Sequence, residues 1–453
     1  MKVIPFVHEG LGNSSYLVDI GNQAAVIVDP NRTVRPYLAA ADERGLTVRA
    51  VFETHLHADF VSGAREIAAA TGSKIFLPSD AHSKLPHVGL QAGSSIDLDG
   101  ISASAIGSPG HTPEHLAYAF KTASGPLHLF SGGSLIVAGA ARTDLIAPDM
   151  TEALTRAQFR TIHSAFSGLP DDTVLLPTHG GGSFCSTGTS QERWSTLGRE
   201  RARNPLLSIE DEEEFVHWFP TTFRGTPAYY SRMRPLNQRG PRLRRDIALP
   251  RPLTPAEFGT EASSALIIDA RARDDYAAAH IPGSLSAPFG GRFPVWLGWL
   301  APAGARLLLV TRPGQVQAVI DECLLVGYED FAGYLDSGVE AWGARGLELR
   351  RTLIARPLDA RKSIADGALS LDVREPDEFR SGHIEGSLAI PLGTLQGEIE
   401  RLPRDRPVIA YCAAGDRASS AASLLERAGF TDVLNLAGGI EAWREAGLPL
   451  SQA

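Results

Sequence analysis

The residues Cys412-Ala413-Ala414-Gly415-Asp416-Arg417 follow an apolar run, Pro407 to Tyr411, and precede an Ala/Leu-rich stretch reaching about Ala428. That order predicts a thiol on a strand-to-helix turn, facing the positive end of a helix dipole. Loop N–H groups at such a turn form an anion cradle, and both effects favour the thiolate, the reactive form of cysteine. Cys412 is the candidate nucleophile, and Arg417 adds a fixed positive charge. Ala413, Ala414, Gly415 and Asp416 are the candidate substrate-binding residues, small enough at the first three positions for backbone to wrap an anion. Without the loop around it, the same cysteine would read as an inert core residue.

A second constellation is built from histidines. Thr54-His55-Leu56-His57-Ala58-Asp59-Phe60 follows the strand-like Val51-Phe52-Glu53. Further on come Pro109-Gly110-His111-Thr112-Pro113-Glu114-His115 and Pro177-Thr178-His179-Gly180. His55 and His57, two apart, can point the same way from an extended loop. Each histidine follows a turn, and several such loops at one sheet edge are what a borderline metal needs. One such histidine alone would be structural.

The elements that must position these residues divide by pattern into four stretches: 1–200, 201–250, 251–353 and 354–453. In the first, Ala24–Val28, Val48–Glu53 and Val174–Pro177 read as strands, and Arg35–Arg44, Ala64–Ala70 and Thr151–Phe166 as helices, the last opened by Thr151 as an N-cap. The second is a connector. It holds an acidic run, Glu210 to Glu214, suited to a first helical turn. Its arginines, Arg232 to Arg251, read as a solvated linker pairing with acidic neighbours. The last two stretches repeat each other. Ile268-Asp269-Ala270-Arg271 is echoed by Leu371-Asp372-Val373-Arg374, and His280-Ile281-Pro282-Gly283-Ser284-Leu285 by His383-Ile384-Glu385-Gly386-Ser387-Leu388, both at an offset of 103. Two copies of one parallel α/β domain follow.

Composition narrows the class. A 453-residue chain that is 43% hydrophobic has enough apolar residues for several cores, and a net charge of -9 argues against nucleic acid or an anionic membrane as partner. The longest uncharged apolar stretch, Phe293 to Ala305, is broken by Pro294, Gly298, Pro302 and Gly304 and is too short to span a bilayer. The first ten residues do not read as a signal peptide, and three cysteines make no disulfide framework. A cytoplasmic, reducing setting is expected.

The stretch from 360 to 450 resembles the rhodanese family of sulfurtransferases, through Asp372-Val373-Arg374, Glu378-Phe379, Gly382-His383-Ile384, the loop Cys412 to Arg417, and Gly438-Gly439 with Trp443. The resemblance implies that Cys412 takes up a sulfane sulfur as a persulfide, with no cofactor. In the first copy Val310-Thr311-Arg312-Pro313-Gly314 falls where Tyr411 to Gly415 falls, so Thr311 replaces the cysteine and that copy is expected to be inactive. Cys323 is expected in its core.

Residues 1–200 resemble the metallo-β-lactamase superfamily, closest in pattern to its glyoxalase II and persulfide dioxygenase branch. The motifs are Asn13-Ser14-Ser15-Tyr16-Leu17-Val18, Ile27-Val28-Asp29-Pro30, the histidine loops and Arg142-Thr143-Asp144. The implied fold is an αββα sandwich followed by two rhodanese-like α/β domains with parallel sheets, the order of bacterial persulfide dioxygenase–rhodanese fusions. Two positions depart from the family. Phe60 stands where the loop ends in histidine, and Gly133 stands where a metal-binding aspartate is expected. The resemblance leaves His55, His57 and His111 as ligands for one Fe(II) or Zn(II), with Asp59 and His179 as outer-shell or second-site groups. A vestigial pocket without metal is the opposing reading. Cys185 is a candidate persulfide-handling thiol, or simply an exposed loop cysteine. The implied activity is reactive-sulfur metabolism with Cys412 as sulfurtransferase nucleophile and the dioxygenase half weak or lost. A mononuclear zinc hydrolase of the glyoxalase II or thioesterase type, and a non-catalytic persulfide-binding module, are the rivals. Expected partners are a small-molecule persulfide, thiosulfate or sulfite and a thiol acceptor such as glutathione; homo-oligomerisation stays open.

Overall fold

In the computed structural model, which describes residues 1–98, 101–121, 125–188 and 190–452, the chain forms two compact units. The first comprises Met1–Asp246 with Leu324–Gly327, the second Ile247–Cys323 with Tyr328–Ala453.

Strand period two builds the first unit. Along Asn13–Gly21, Tyr16, Val18 and Ile20 face one side and Leu17 the other; along Ala24–Val28, Val26 and Val28 oppose Ala25 and Ile27. These strands join Lys2–His8, Thr47–Phe52, Lys74–Pro78 and Val88–Leu90 in a six-stranded sheet ordered as in the sequence. A second six-stranded sheet runs Ser195–Thr196, Val174–Pro177, His128–Gly132, Leu116–Lys121, Ile101–Gly107, Ser95–Leu98. The inner faces meet through Tyr16, Phe52, Phe76, Tyr118, Phe120 and Phe130. Each such buried aromatic contributes about 1.5–3 kcal/mol. Helices Arg35–Asp42 and Ala64–Thr71 cover the outer face of the first sheet, through Tyr37, Ala41 and Ile67. Thr151–Arg160, its continuation Thr161–Ala165, and Glu212–Trp218 lie with the second, through Ile162, Phe215 and Phe219. The result is an αββα sandwich, with His55, His111 and His179 all on turns that follow strand ends.

The second unit holds two five-stranded parallel sheets of the same topology. One is ordered Pro252–Leu253, Phe331–Leu335, Leu307–Val310, Leu266–Asp269, Leu285–Ser286; the other Leu353–Ala355, Val433–Leu436, Val408–Tyr411, Leu369–Asp372, Leu388–Ala389. The central strands Leu307–Val310 and Val408–Tyr411 are buried throughout, as parallel strands covered on both faces must be. The repeat extends to hydrogen bonds. Arg271 grips Asp269 and Arg374 grips Asp372 by the same fork, with Nη2 to Oδ2 at 2.6 Å in both. Each guanidinium also donates to one backbone carbonyl, of Ala279 or Gly382. The His280 ring stacks on Tyr276 at 4.0 Å and His383 on Phe379 at 3.8 Å. A hydroxyl seam joins the copies. Ser286 donates its N–H to Ser423, shares a hydrogen bond with Ser419 and accepts one from Ser420, all three on helix Asp416–Arg427.

Local differences from the sequence reading are instructive. Thr151 does not cap its helix; Met150 holds that position, and the Thr151 hydroxyl turns back to Ala147 O at 3.4 Å. The acidic run does open a helix, Glu212–Trp218, capped by Asp211. The expected solvated connector is partly a packed helix, Tyr230–Arg239, that buries Tyr230, Met233 and Asn237 within the first unit. No helix among the described residues is long and apolar enough to cross a membrane.

Removing one partner of a buried fork strands the other charge. Arg374→Ala is therefore expected to cost about 3–5 kcal/mol, read as a lowered urea midpoint. Arg374→Lys should recover only part of it, because an ammonium cannot form the fork.

Candidate functional site

The Cys412 loop is set by its two flanking elements. Strand Val408–Tyr411 delivers Cys412, and helix Asp416–Arg427 begins four residues later. Cys412 is only 2% exposed, yet Gly415 N–H donates to its Sγ at 3.0 Å, so the thiol turns into the amide turn rather than into hydrocarbon. Gly415 takes φ +116°, a backbone conformation that favours glycine, and its carbonyl accepts from Asn435 at 3.2 Å. Below the loop, Gly439 lies so close that a Cβ would fall 2.4 Å from the carbonyl oxygens of Cys412 and Ala413. Its neighbours Ile440 and Glu441 donate their N–H groups to those same oxygens.

Arg417 belongs to this loop, but both of its terminal nitrogens are bound to Glu378, at 2.6 and 2.7 Å. Burial works against its charge; Glu378 and the Cys412 sulfur outweigh that and keep the guanidinium protonated. Glu378 is held below the usual carboxylate range, Arg417 outweighing the effect of its burial.

In the first copy, strand Leu307–Val310 and helix Val316–Leu325 flank Thr311 as their counterparts flank Cys412. The Thr311 side chain lies in a cleft of about 800 Å³ that also takes in Arg271, Arg312 and Gly314. Cys323 is buried in helix Val316–Leu325, where burial pushes its thiol well above the ordinary value.

In the first unit the ligand atoms of His55, His111 and His179 lie within 4.8 Å of one another. Each ring commits Nδ1 to an oxygen. His111 Nδ1 donates to Arg142 O at 2.6 Å. Thr54 gives its hydroxyl proton to Asp29, so at 2.8 Å it accepts from His55 Nδ1. His179 Nδ1 faces Asn13 Oδ1 at 3.2 Å and Asp59 Oδ2 at 3.3 Å. With Nδ1 so engaged, a neutral ring at each of these positions presents Nε2 as its lone pair. His55 Nε2 and His179 Nε2 stand 3.4 Å apart, and His111 Nε2 has no partner among the described residues. Burial first, then neighbouring imidazoles, hold His55 and His111 well below the ordinary value of 6.5. Three buried lone pairs facing one another fit a cation.

His57, expected with His55 and His111, departs from that set. Its Nε2 lies 2.9 Å from Glu53 and 3.4 Å from Asp29, and its ring stacks on Phe60 at 4.3 Å. Burial alone would depress it, but the two carboxylates raise it to about 10. The reason is local: Phe60 offers an apolar ring face where a histidine would offer a nitrogen. His57 remains close enough to form a second group with Asp59 and His179. His179, expected outside the site, is the residue that completes the first group. Asp59 accepts from Asn13 Nδ2 and faces His179, both through Oδ2.

At Gly133 a Cβ would fall 2.5 Å from His111 Cδ2, so the local packing has closed over the position where a carboxylate was expected. The Gly133 N–H donates instead to His115 Nε2 at 3.0 Å. Burial lowers His115 to about 3, so that ring is a neutral acceptor. Asp144 is taken up by Arg142 at 2.6 and 2.7 Å. Cys185 is not an exposed loop residue. It is fully buried, and burial, reinforced by the Asp59 carboxylate, pushes its thiol well above the ordinary value.

Sequence reasoning missed the supports. Asp29 accepts from Thr54 N at 2.7 Å, from the Thr54 hydroxyl and from Thr178, and so ties two histidine loops together. Asn237, in the expected connector, donates to His57 O and Phe60 O, both at 2.9 Å. Arg234 forks onto buried Glu114, which accepts from Leu56 N. These contacts are long-range; Asp29 and Glu114 lie inside quoted motifs, and Asn237 left no signal.

Two family models match the chain: the metallo-beta-lactamase superfamily over residues 8–124, and the rhodanese-like domain over 254–345 and again over 357–446. A sulfurtransferase of Allochromatium vinosum is 37% identical over 93 residues, which is 20% of this chain and 87% of that protein. A hydroxyacylglutathione hydrolase of Methylobacillus flagellatus is 39% identical over 120 residues, 26% of this chain. The chain spans only 46% of the length of that hydrolase. The crystal structure of a metallo-beta-lactamase from Staphylococcus aureus superposes with a TM-score of 0.66 at 27% identity, covering 74% of this chain and 98% of that one. The chain therefore belongs to the proteins in which a metallo-beta-lactamase domain precedes two rhodanese-like domains.

Proposed function

We propose that the chain is an enzyme of reactive-sulfur metabolism whose second unit transfers sulfane sulfur through Cys412. The observation that carries this reading is the Gly415 N–H donated to Cys412 Sγ at a strand-to-helix turn. That amide is a preorganised donor for a sulfur anion, whether thiolate or persulfide. With thiosulfate as donor, Cys412 thiolate attacks the outer sulfur. A new S–S bond forms, the donor's S–S bond breaks, and sulfite leaves with the electron pair. A thiophilic anion such as cyanide then takes the terminal sulfur and returns the thiolate. No oxidant is consumed. Thr311 has no sulfur to offer, so the first copy carries no sulfur itself.

For the first unit we propose a mononuclear metal site held by His55, His111 and His179. Their converging ligand nitrogens support it. A bound Zn(II) or Fe(II) would supply Lewis-acid chemistry. Thr54, Arg142 O and Asn13 orient the three rings, and Asp59 holds negative charge beside His179. The group of three imidazoles lacks the carboxylate of the iron oxygenase triad, so persulfide oxidation here is weak or lost. Donor chemistry of this kind suits zinc, which supports a thioester hydrolase as the second reading. The glutathione thioester named for the curated hydrolase relatives makes a glutathione-derived thiol the proposed small-molecule partner.

Cys412→Ser should abolish sulfur transfer from thiosulfate to cyanide, with thiocyanate as the readout; retained turnover would remove Cys412 from the mechanism. In elemental analysis of the purified protein, alanine at His55, His111 or His179 should each lower metal content by about tenfold or more, whereas His57→Gln should keep it. Equal loss in all four variants would restore His57 as a ligand. Because His55 and His111 stay unprotonated below their ordinary pKa of 6.5, metal should be retained as pH falls past 6.5 and lost only in stronger acid.

A further inference from the structure

The silent first copy reaches the Cys412 loop. Its Arg273, at the start of helix Arg273–Ala278, donates Nη1 to Asp416 Oδ1 at 3.1 Å. Three guanidinium atoms, Nη1, Cζ and Nε, lie 3.3, 3.4 and 3.5 Å from the point where a Gly415 Cβ would stand. Near-equal distances mean that the flat face of the guanidinium rests against Gly415. Gly415 thus offers its N–H to the sulfur and its bare α-carbon to this cation. The repeat does not generate the contact, since the position 103 residues on is Pro376.

The two arginines at the loop differ in whether a terminal nitrogen stands wholly unengaged. Arg417 has both terminal nitrogens on Glu378. Arg273 uses Nη1 on Asp416, and its Nε is 3.6 Å from Asp274, but Nη2 makes no hydrogen bond among the described residues. Its side chain is 31% exposed, so the free edge is open to solvent. An anionic sulfur donor approaching the loop therefore meets, in Arg273 Nη2, two N–H groups that no carboxylate has claimed.

We propose that Arg273 of the first copy binds and positions the anionic sulfur donor over the Cys412 loop of the second. This assigns the cysteine-less copy a part in substrate recognition, and it rests on the sulfurtransferase reading above. Asp416 opposes it: its half-exposed carboxylate pins Arg273 and repels the same anion.

The test separates a recruiting charge from a structural tie. Steady-state transfer from thiosulfate to cyanide is measured with Arg273→Ala, Arg273→Lys and Asp416→Asn. Alkylation of Cys412 is followed by peptide mass mapping with iodoacetate, an anion, and iodoacetamide, its neutral analogue. Arg273→Ala should raise the KM for thiosulfate about three- to tenfold with kcat changed less than about twofold, and lower the iodoacetate-to-iodoacetamide rate ratio about threefold. Arg273→Lys should recover most of both, and Asp416→Asn should move the ratio the opposite way. The differences should shrink at about 1 M salt, where screening acts within a few ångströms. An unchanged ratio in Arg273→Ala, or shifts in the same direction for Arg273→Ala and Asp416→Asn, overturns the proposal. A wild-type protein that transfers no sulfur overturns the sulfurtransferase reading instead, while the alkylation ratio still reports the charge of Arg273.

Discussion

A buried carboxylate just past or at the end of a strand fixes the chemistry-bearing loops in both units. Cut off from water, it must find donors within the protein, and the donors it finds dictate how the following turns run. Asp29 follows strand Ala24–Val28 with φ 48°, a left-handed conformation aspartate tolerates, and collects Thr54 and Thr178. Those threonines are the immediate neighbours of His55 and His179. Asp372 ends strand Leu369–Asp372 and collects Arg374, whose guanidinium also lies over the ring of Tyr411, the residue before Cys412. Asp269 does the same for Arg271 in the first copy.

The two units then use opposite strategies for a reactive atom. In the first, the ligand nitrogens of three buried imidazoles converge, so the local need is for positive charge. In the second, the Gly415 N–H is donated to a sulfur atom, so the need is for negative charge. Both sites are largely closed to water, where either kind of complementarity counts for more than it would at the surface. Neither depends on a residue with an unusual conformation beyond Asp29 and the glycines of the turns.

Much of this was legible in the sequence. Apolar runs ending in turns gave the strands Ala24–Val28 and Val174–Pro177, and the 103-residue offset gave the paired domains, whose echoed Asp-x-Arg segments fold into matching forks. The Cys412 loop was readable because strand, turn and helix are contiguous. The histidine site was only half readable. Motif spacing brings His55 and His57 together on paper, but which imidazole turns inward depends on Phe60, Glu53 and Asp29, whose roles are set by packing from distant segments. The strap from Asn237 and Arg234 had no signal, because an arginine among prolines looks the same whether it meets solvent or a buried Glu114. Cys185 was misplaced for a related reason: a glycine-rich run suggests exposure, while here the cysteine that ends it is fully buried.

Gly439 carries one further consequence. With its α-carbon against the carbonyls of Cys412 and Ala413, the floor beneath the sulfur is solid peptide with no room for even a methyl group. Any side chain at position 439 would have to displace those two carbonyls, and with them the turn that carries the sulfur, so the loop and the start of helix Gly439–Glu445 can shift only as one piece.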